Sequence, residues 1–145
     1  MDKEHIQVVI FTLGDEEFAF DINYVKEVIR VLDITKVPKS KEMIEGVINL
    51  RGNVIPVIDL RKRFNLSAVI LPRTTRIIIL EINQITVGFI VDTVLGTRQI
   101  KTSCIEATPA AIMGKIEYEY IAGVAKLEYR LLNLLHIEKI ISIKN

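Results

Sequence analysis

The sequence has no tryptophan, a single cysteine at position 104 and two histidines among its 145 residues. One cysteine cannot close a disulfide within the chain, which agrees with a reducing compartment. No apolar run approaches the roughly 18 residues that a membrane-spanning helix needs. The charged N-terminal residues, MDKEHIQ, contain no apolar signal-peptide core. We therefore expect neither a transmembrane segment nor export, and we expect a cytoplasmic location.

The chain carries almost no net charge, because 19 basic side chains offset 18 acidic ones. Such a chain creates no long-range field that would attract nucleic acid or anionic lipid. Small barrels often bind nucleic acid, so a nucleic-acid-binding module stays an alternative function. That alternative predicts a basic face with exposed aromatic side chains, whereas the composition favours no nucleic-acid partner.

Residues with catalytic chemistry are scarce. His5 lies near the N-terminus and His136 lies at a predicted helix start, where it is interpreted as a helix cap. Cys104 is interpreted as a small, buried or half-buried apolar residue. The sequence has no zinc-ligand spacing, no nucleophile elbow and no phosphate-binding glycine loop. We expect no catalytic residue, no metal and no cofactor, and a small enzyme with a polar-lined pocket is kept as the other alternative.

Half of the residues are hydrophobic, and β-branched runs of strand length dominate the chain. This composition predicts a large buried fraction or apolar surface kept for partners. Short polar segments that suit tight turns separate the runs in pairs, which predicts a mainly β fold built from hairpins. The three predicted hairpins join residues 8–13 to 18–22, residues 47–50 to 54–58, and residues 76–82 to 85–91.

The second hairpin carries the most distinctive chemistry. Gly52-Asn53 is predicted as its turn, so Arg51 would end the first strand with a guanidinium able to bind a carboxylate or partner carbonyls. Pro56 predicts that its strand lies at an edge or contains a bulge and is not central, because proline donates no ladder hydrogen bond. Asp59 is predicted to cap a short helix whose Arg61-Lys62-Arg63 run forms a solvated face, with a docking patch as the alternative. The alternative role for Arg51 is an ion pair with Asp59.

The segments around this hairpin have weaker patterns. The three-to-four spacing of Tyr24, Val25, Val28 and Ile29 predicts a turn or two of helix capped by Asn23. Residues 34–37 are predicted as a short strand, residues 40–45 as a helical turn, and residues 65–75 as a connector.

The chain contains an internal repeat. Residues 18–22 match residues 87–91 at an offset of 69, and residues 44–48 match residues 121–125 at an offset of 77. At the second offset residues 58–60 also match residues 135–137. A repeat of this length with short strands predicts two small barrels, each filled by its own side chains. We expect one barrel over roughly 14–75 and another over roughly 76–145 with the N-terminal strand.

The motif GVINLRGNVIPVIDLRKRF, with FTLGDEEFAFDINYVKEV and VPKS before it and VGFIVDTVLG and HIEKII after it, resembles the CheW family of chemotaxis coupling proteins. The resemblance covers about residues 8–141, and the pattern NLRG-x-x-x-PV-x-DLR is specific. It implies one CheW-like domain over residues 1–145, made of two SH3-like five-stranded barrels packed side by side with short helices. It also implies no enzymatic activity.

The resemblance further implies partners and a site. Such proteins join transmembrane chemoreceptors to the histidine kinase CheA, so membrane association would be indirect, through the receptor tips. The receptor-binding positions correspond to Val25, Glu27 and Arg51, with Gly46 and Gly88 where the family resists bulk. Kinase contact in the family is mainly through the second half. This chain has neither a kinase ATP-binding region nor a receiver domain, which favours a stand-alone coupling protein.

Other roles for these residues stay open. Val25 beside Glu27 on a surface groove would suit an amphipathic helix of a partner. Alternatively, Val25 and Val28 belong to the core, and Gly46 and Gly88 serve backbone geometry alone.

Overall fold

The computed structural model describes residues 4–38, 44–63, 73–107 and 120–141. The described residues form a mainly β fold with short helices, as predicted. The strands are β1 (His5–Leu13), β2 (Glu16–Asp21), β3 (Val25–Arg30), β4 (Ile44–Leu50), β5 (Asn53–Asp59), β6 (Arg76–Ile82), β7 (Ile85–Val91), β8 (Thr93–Lys101), β9 (Ile105–Glu106), β10 (Ile121–Leu127) and β11 (Arg130–Leu135). The helices are α1 (Leu60–Arg63) and α2 (Ile137–Ile141), with 3₁₀ turns at Ile22–Tyr24 and Thr102–Cys104.

The strands form two sheets in two compact units. The terminal unit comprises Met1–Asn23 and Leu95–Asn145, and its six-stranded sheet has the order β8-β1-β2-β11-β10-β9. A cluster of buried side chains from five of these strands forms its core. The cluster contains Val8, Ile10, Ala19, Ile100, Ala125, Leu132 and Leu134.

The central unit comprises Tyr24–Val94, and its five-stranded sheet has the order β3-β6-β7-β5-β4. Its core is also aliphatic, because β-branched side chains line the inner faces of its strands. The buried members are Ile48, Leu50, Ile55, Val57, Ile77, Ile79 and Ile90.

The internal repeat appears in the strand pairing. Val57 pairs with Gly88 where β5 runs parallel to β7, and Leu134 pairs with Ala19 where β11 runs parallel to β2. The offset of 77 relates Val57 to Leu134, and the offset of 69 relates Ala19 to Gly88. The two parallel pairings are therefore equivalent, and each sheet combines a hairpin from one repeat with a hairpin from the other.

This exchange changes the boundaries expected from the sequence. The hairpin β6–β7 lies in the central unit with β4–β5, and the hairpin β1–β2 lies in the terminal unit with β10–β11. The physical reason is that β2 and β7 pair with strands from the other repeat, which the order of elements along the chain does not reveal.

Residues Val25–Arg30 form a strand, so the predicted helix after Asn23 is wrong. Only the 3₁₀ turn at Ile22–Tyr24 has helical geometry in this segment. The window is short enough to fit both periods, and alternate half-buried and exposed side chains follow the period of two. Pairing of β3 with β6 decides between them.

The second hairpin differs from its prediction in two ways. Its turn is Arg51-Gly52, since Leu50 pairs with Asn53. Pro56 lies in an interior strand, between β4 and β7, so the prediction that its strand is not central is wrong. Hydrogen-bonded and non-hydrogen-bonded pairs alternate along an antiparallel hairpin, which makes Pro56 part of a non-hydrogen-bonded pair. The parallel pairing with β7 begins one residue later, at Val57.

The third predicted hairpin is confirmed as β6 and β7, whose two turn residues, Asn83 and Gln84, have positive φ angles. The predicted strand at 34–37 is reduced to one bridge between Thr35 and Val47. Residues 39–43 and 64–72 lie outside the described residues, and with them most of the predicted turn at 40–45 and of the connector at 65–75. Ile44 and Glu45, however, already belong to β4.

Among the residues that the structure describes, no helix has both the length and the apolar character required to cross a membrane.

Candidate functional site

A tight turn places Arg51 at the end of the β4–β5 hairpin. Arg51 has a φ of 52° and Gly52 a φ of 89°, the pair of left-handed conformations that a two-residue hairpin turn requires. Asn49 supports the turn, because its Oδ1 accepts a hydrogen bond of 2.9 Å from the Gly52 N–H. We call Arg51, Gly52 and Asn49 together the Arg51 turn.

The Arg51 turn meets β3 through an ion pair. Arg51 Nη2 donates to Glu27 Oε2. The Arg51 side chain is 66% exposed and the Glu27 side chain 32% exposed. An ion pair this exposed contributes less than about 1 kcal/mol to stability. Its geometry matters more, because it presents an accessible guanidinium beside a carboxylate on the surface of one unit.

Val25 lies two residues before Glu27 on β3, but a β-bulge separates them. Val25 pairs with Leu80 and Glu27 pairs with Ile79. Leu80 and Ile79 are successive residues of β6, so their side chains lie on opposite faces of the sheet. Val25 and Glu27, which pair with them, therefore also lie on opposite faces. The structure therefore brings together Glu27 and Arg51, and it places the half-buried Val25 along the same strand on the other face.

Gly46 and Gly88 are buried and provide close packing. A Cβ on Gly46 would lie 2.4 Å from the Thr35 carbonyl oxygen, where β4 has a register shift. A Cβ on Gly88 would lie 2.8 Å from Ile77 Cγ2. These distances favour the interpretation that both glycines serve backbone geometry, and they add no group to the Arg51–Glu27 surface.

The predicted cap of the helix after β5 is formed. Asp59 Oδ1 accepts a hydrogen bond of 2.9 Å from the Arg61 N–H at the start of α1. Burial raises the pKa of the Asp59 carboxyl, and the hydrogen bond from the Arg61 amide opposes this shift. Because Arg51 pairs with Glu27, the alternative pairing of Arg51 with Asp59 is not what the structure shows.

The sequence analysis missed an ion pair formed by Arg61. Its Nε and Nη2 donate to the two carboxylate oxygens of Asp92 at 2.8 and 2.6 Å. Both side chains are largely buried, with 14% and 12% of their area exposed. The prediction of a solvated face is therefore wrong for Arg61. The available signal was Asp92 itself, an acidic residue directly after the buried run of β7.

His136 and Cys104, the two remaining residues considered for chemistry, lie in positions that serve the fold. The His136 carbonyl accepts from the Ile140 N–H at 3.2 Å, so His136 occupies the N-cap position of α2. Cys104 is half-buried in a 3₁₀ turn. Within the described ranges, no group of histidine, cysteine and acidic residues could hold a metal ion.

Comparisons with known proteins agree on one family. A family model described as "CheW-like domain" matches residues 7–145. The chain is 38% identical over 129 residues to "Chemotaxis protein CheW" of Bacillus subtilis, covering 89% of this chain and 82% of that protein. It is 37% identical over 139 residues to the protein of the same name from Thermotoga maritima, covering 95% of this chain and 89% of that protein.

A solved relative has the same fold. The crystal structure of "scaffolding protein TtCheW" from Thermoanaerobacter tengcongensis matches with a TM-score of 0.86 and 36% identity, covering 95% of this chain and 93% of that one. The resemblance carried by the NLRG and DLR motifs is thus confirmed. The chain belongs to the CheW-like domain family.

Proposed function

We propose that this protein is a non-enzymatic chemotaxis adaptor that couples transmembrane chemoreceptors to the histidine kinase CheA in the cytoplasm. The family supports this function, since relatives that match most of the chain are chemotaxis proteins and a solved one is a scaffolding protein. In this function the protein reaches the membrane only indirectly, through the receptors. It acts by binding two partners rather than by chemistry.

The observation that carries the receptor site is the exposed ion pair between Arg51 and Glu27. A planar guanidinium binds carboxylates and carbonyl oxygens with defined geometry, and a neighbouring carboxylate accepts from amide or basic groups. A receptor helical hairpin whose tip presents both kinds of group would fit this pair. We place the receptor contact at Arg51 and Glu27, and in this proposal it extends around β3, the edge strand of its sheet, to Val25 on the other face.

Gly46 and Gly88 have an indirect part in this proposal. Each is surrounded by side-chain or backbone atoms of the central unit and has no surface to offer a receptor. A larger residue at either position would shift β4 or β7, and with them the hairpin that carries Arg51. We therefore expect both glycines to affect receptor binding through the fold.

Kinase contact belongs, in this proposal, to the second half of the chain. Two separate contacts on one small protein allow receptor and kinase to be held together. Each contact then needs only modest affinity, because an array of receptors and kinases makes the binding multivalent.

The receptor site is tested by charge reversal. We expect Arg51→Glu to weaken binding of a receptor cytoplasmic fragment by at least about tenfold, since a charged group in contact with a partner contributes 1.5 kcal/mol or more. Isothermal titration measures the affinity. The matched control is Arg130→Glu on the equivalent hairpin of the terminal unit, which reverses an exposed arginine that pairs with the half-buried Glu17 of β2. Equal receptor affinity of wild type and a folded Arg51→Glu variant would remove Arg51 from the site.

A further inference from the structure

The Arg51 turn has an internal counterpart for comparison. The offset of 77 relates the β4–β5 turn to the β10–β11 turn, and both have two residues between paired positions. Arg51 and Gly52 have positive φ angles, whereas Glu128 and Tyr129, the corresponding turn residues, do not. The two hairpins are equivalent in register but differ in turn geometry.

The left-handed conformation of Arg51 needs support. A residue with a β carbon is disfavoured there, and arginine has no short polar side chain that bonds its own backbone. Gly52 takes the second left-handed position without steric penalty. The Asn49 carboxamide then accepts from the Gly52 N–H, which fixes the turn from the preceding strand.

The equivalent hairpin cannot form this support. Its residue at the position of Asn49 is Lys126, whose ammonium donates hydrogen bonds and accepts none. Lys126 instead forms a surface ion pair with Glu106. A side-chain acceptor before the turn and left-handed turn residues therefore occur together in one hairpin and are both missing from the other.

We infer that Asn49 is a positioning residue of the proposed receptor site. By holding the turn in its left-handed geometry, Asn49 directs the Arg51 guanidinium to Glu27 and so preorganises the charged surface that meets the receptor. This inference rests on the proposed function for its effect on binding, but its effect on Arg51 is a property of the unbound protein.

The test compares Asn49→Ala with Lys126→Ala, the matched substitution in the equivalent hairpin. Nuclear magnetic resonance of the unbound proteins follows the Arg51 Nε–Hε signal and the exchange rate of the Gly52 amide. We expect Asn49→Ala to speed Gly52 exchange and to move the Arg51 signal toward its position in a Glu27→Ala variant. We expect Lys126→Ala to leave both unchanged.

Receptor affinity gives the second measurement. We expect Asn49→Ala to weaken binding about fivefold, the factor that one ordinary neutral hydrogen bond represents. Glu27→Ala should weaken binding in the wild-type background and cause a smaller loss in the Asn49→Ala background, where only the direct contact of Glu27 with the receptor is still removed. A purely structural role for Asn49 would leave the effect of Glu27→Ala the same in both backgrounds. Asn49→Val, which keeps a good strand former at this exposed position, provides a second variant.

The two measurements separate the possible failures. An Arg51 signal that stays unchanged in Asn49→Ala and Asn49→Val overturns the positioning role, whatever the receptor affinity. A signal that moves while receptor affinity stays constant supports the positioning role and instead overturns Arg51 as a receptor contact.

Discussion

At the residue scale, Arg51 and Arg61 lie ten positions apart and each pairs with a carboxylate, but the two ion pairs differ in burial. Arg61 makes two hydrogen bonds to Asp92, and little of either side chain is exposed. Arg51 pairs with Glu27 on the surface. The buried pair fixes α1 to the end of β7, whereas the exposed pair is accessible to a partner. Burial therefore gives Arg61 a structural role, whereas exposure leaves Arg51 accessible for the proposed receptor contact.

Removal of Asp92 tests the structural role of the buried pair. We expect Asp92→Ala to lower the free energy of unfolding by about 3 kcal/mol, because Arg61 loses the carboxylate that accepts two of its hydrogen bonds in a largely buried position. The control Glu106→Ala breaks the exposed pair with Lys126, and it should lower that free energy by less than about 1 kcal/mol. Urea denaturation followed by circular dichroism measures both. Equal losses would show that burial does not separate the two kinds of pair.

Gly46 and Gly123 form a matched pair for a packing test. The offset of 77 relates them, and each follows a register shift in its strand. A Cβ would lie 2.4 Å from backbone oxygen at Gly46, but 3.1 Å from backbone oxygen at Gly123. We expect Gly46→Ala to lower the free energy of unfolding by about 2 kcal/mol or more, the usual effect of overpacking.

We expect Gly123→Ala to lower the free energy of unfolding by less than Gly46→Ala, because the Cβ at position 123 would lie farther from backbone oxygen. Thermal unfolding with both variants gives the comparison. A Gly46→Ala protein as stable as wild type would mean that the space around Thr35 opens more easily than its backbone contacts imply.

At the element scale, hairpins were the most predictable feature and their details the least. β6 and β7 follow from two β-branched runs around Asn83-Gln84, with the bounds as predicted. The prediction for β3 is wrong because its short apolar pattern fits both helical and strand periods. The strand that it pairs with, β6, lies about 50 residues later in the sequence, so the pattern of β3 alone does not reveal the pairing. That error also hid the partner of Arg51, since Glu27 lies on β3.

The cap of α1 makes a prediction about pH. Burial raises the pKa of folded Asp59 above the ordinary value of 3.8, so between these two values the folded state binds more protons than the unfolded state. The contribution of Asp59 to stability is therefore most favourable at low pH, and it declines as pH rises through that window. We expect Asp59→Asn to remove this decline while keeping the acceptor for the Arg61 N–H.

Comparison of Asp59→Ala with Asp59→Asn separates the effect of the cap from that of the charge, because only asparagine keeps the acceptor. Asp59→Ala should lower the free energy of unfolding by about 1 kcal/mol at neutral pH, because no acceptor remains for the amide. Denaturant titrations from pH 4 to pH 7, a range chosen around the ordinary carboxyl pKa, measure both variants. An Asp59→Asn protein whose stability changes with pH as wild type does would assign the pH dependence to other carboxyls.

At the scale of the whole molecule, the sequence revealed the repeat but not how its halves combine. The offsets of 69 and 77 identify equivalent strands, and the family motifs predict the fold. Neither says that β7 pairs with β5 and β2 with β11. Such parallel pairings join segments far apart in sequence, and only tertiary contact determines them. The same limit applied to the site, where Glu27 and Arg51 were identified separately and their contact was not.

Core cavities can test which hairpins share a unit, because β1–β2 lie with β10–β11 and β6–β7 lie with β4–β5. Leu132 on β11 and Ile77 on β6 are both fully buried, in the terminal and central units respectively. We expect Leu132→Ala to destabilise by about 3 kcal/mol and to lower hydrogen-exchange protection in β1 and β2 more than in β6 and β7. Ile77→Ala should give the reverse order. Greater loss in β6 and β7 for Leu132→Ala would favour the boundaries expected from the sequence.

In the proposed function, this protein holds a chemoreceptor and CheA at once and meets the receptor through Arg51. Co-sedimentation of receptor-bearing membranes with purified CheA, in the presence of wild-type or Arg51→Glu protein, tests this function most directly. We expect wild-type protein to bring CheA down with the membranes, and we expect Arg51→Glu protein to bind CheA but leave it in the supernatant. Failure of the wild-type protein to bring CheA down, or undiminished recovery with a folded Arg51→Glu protein, would contradict the proposed function.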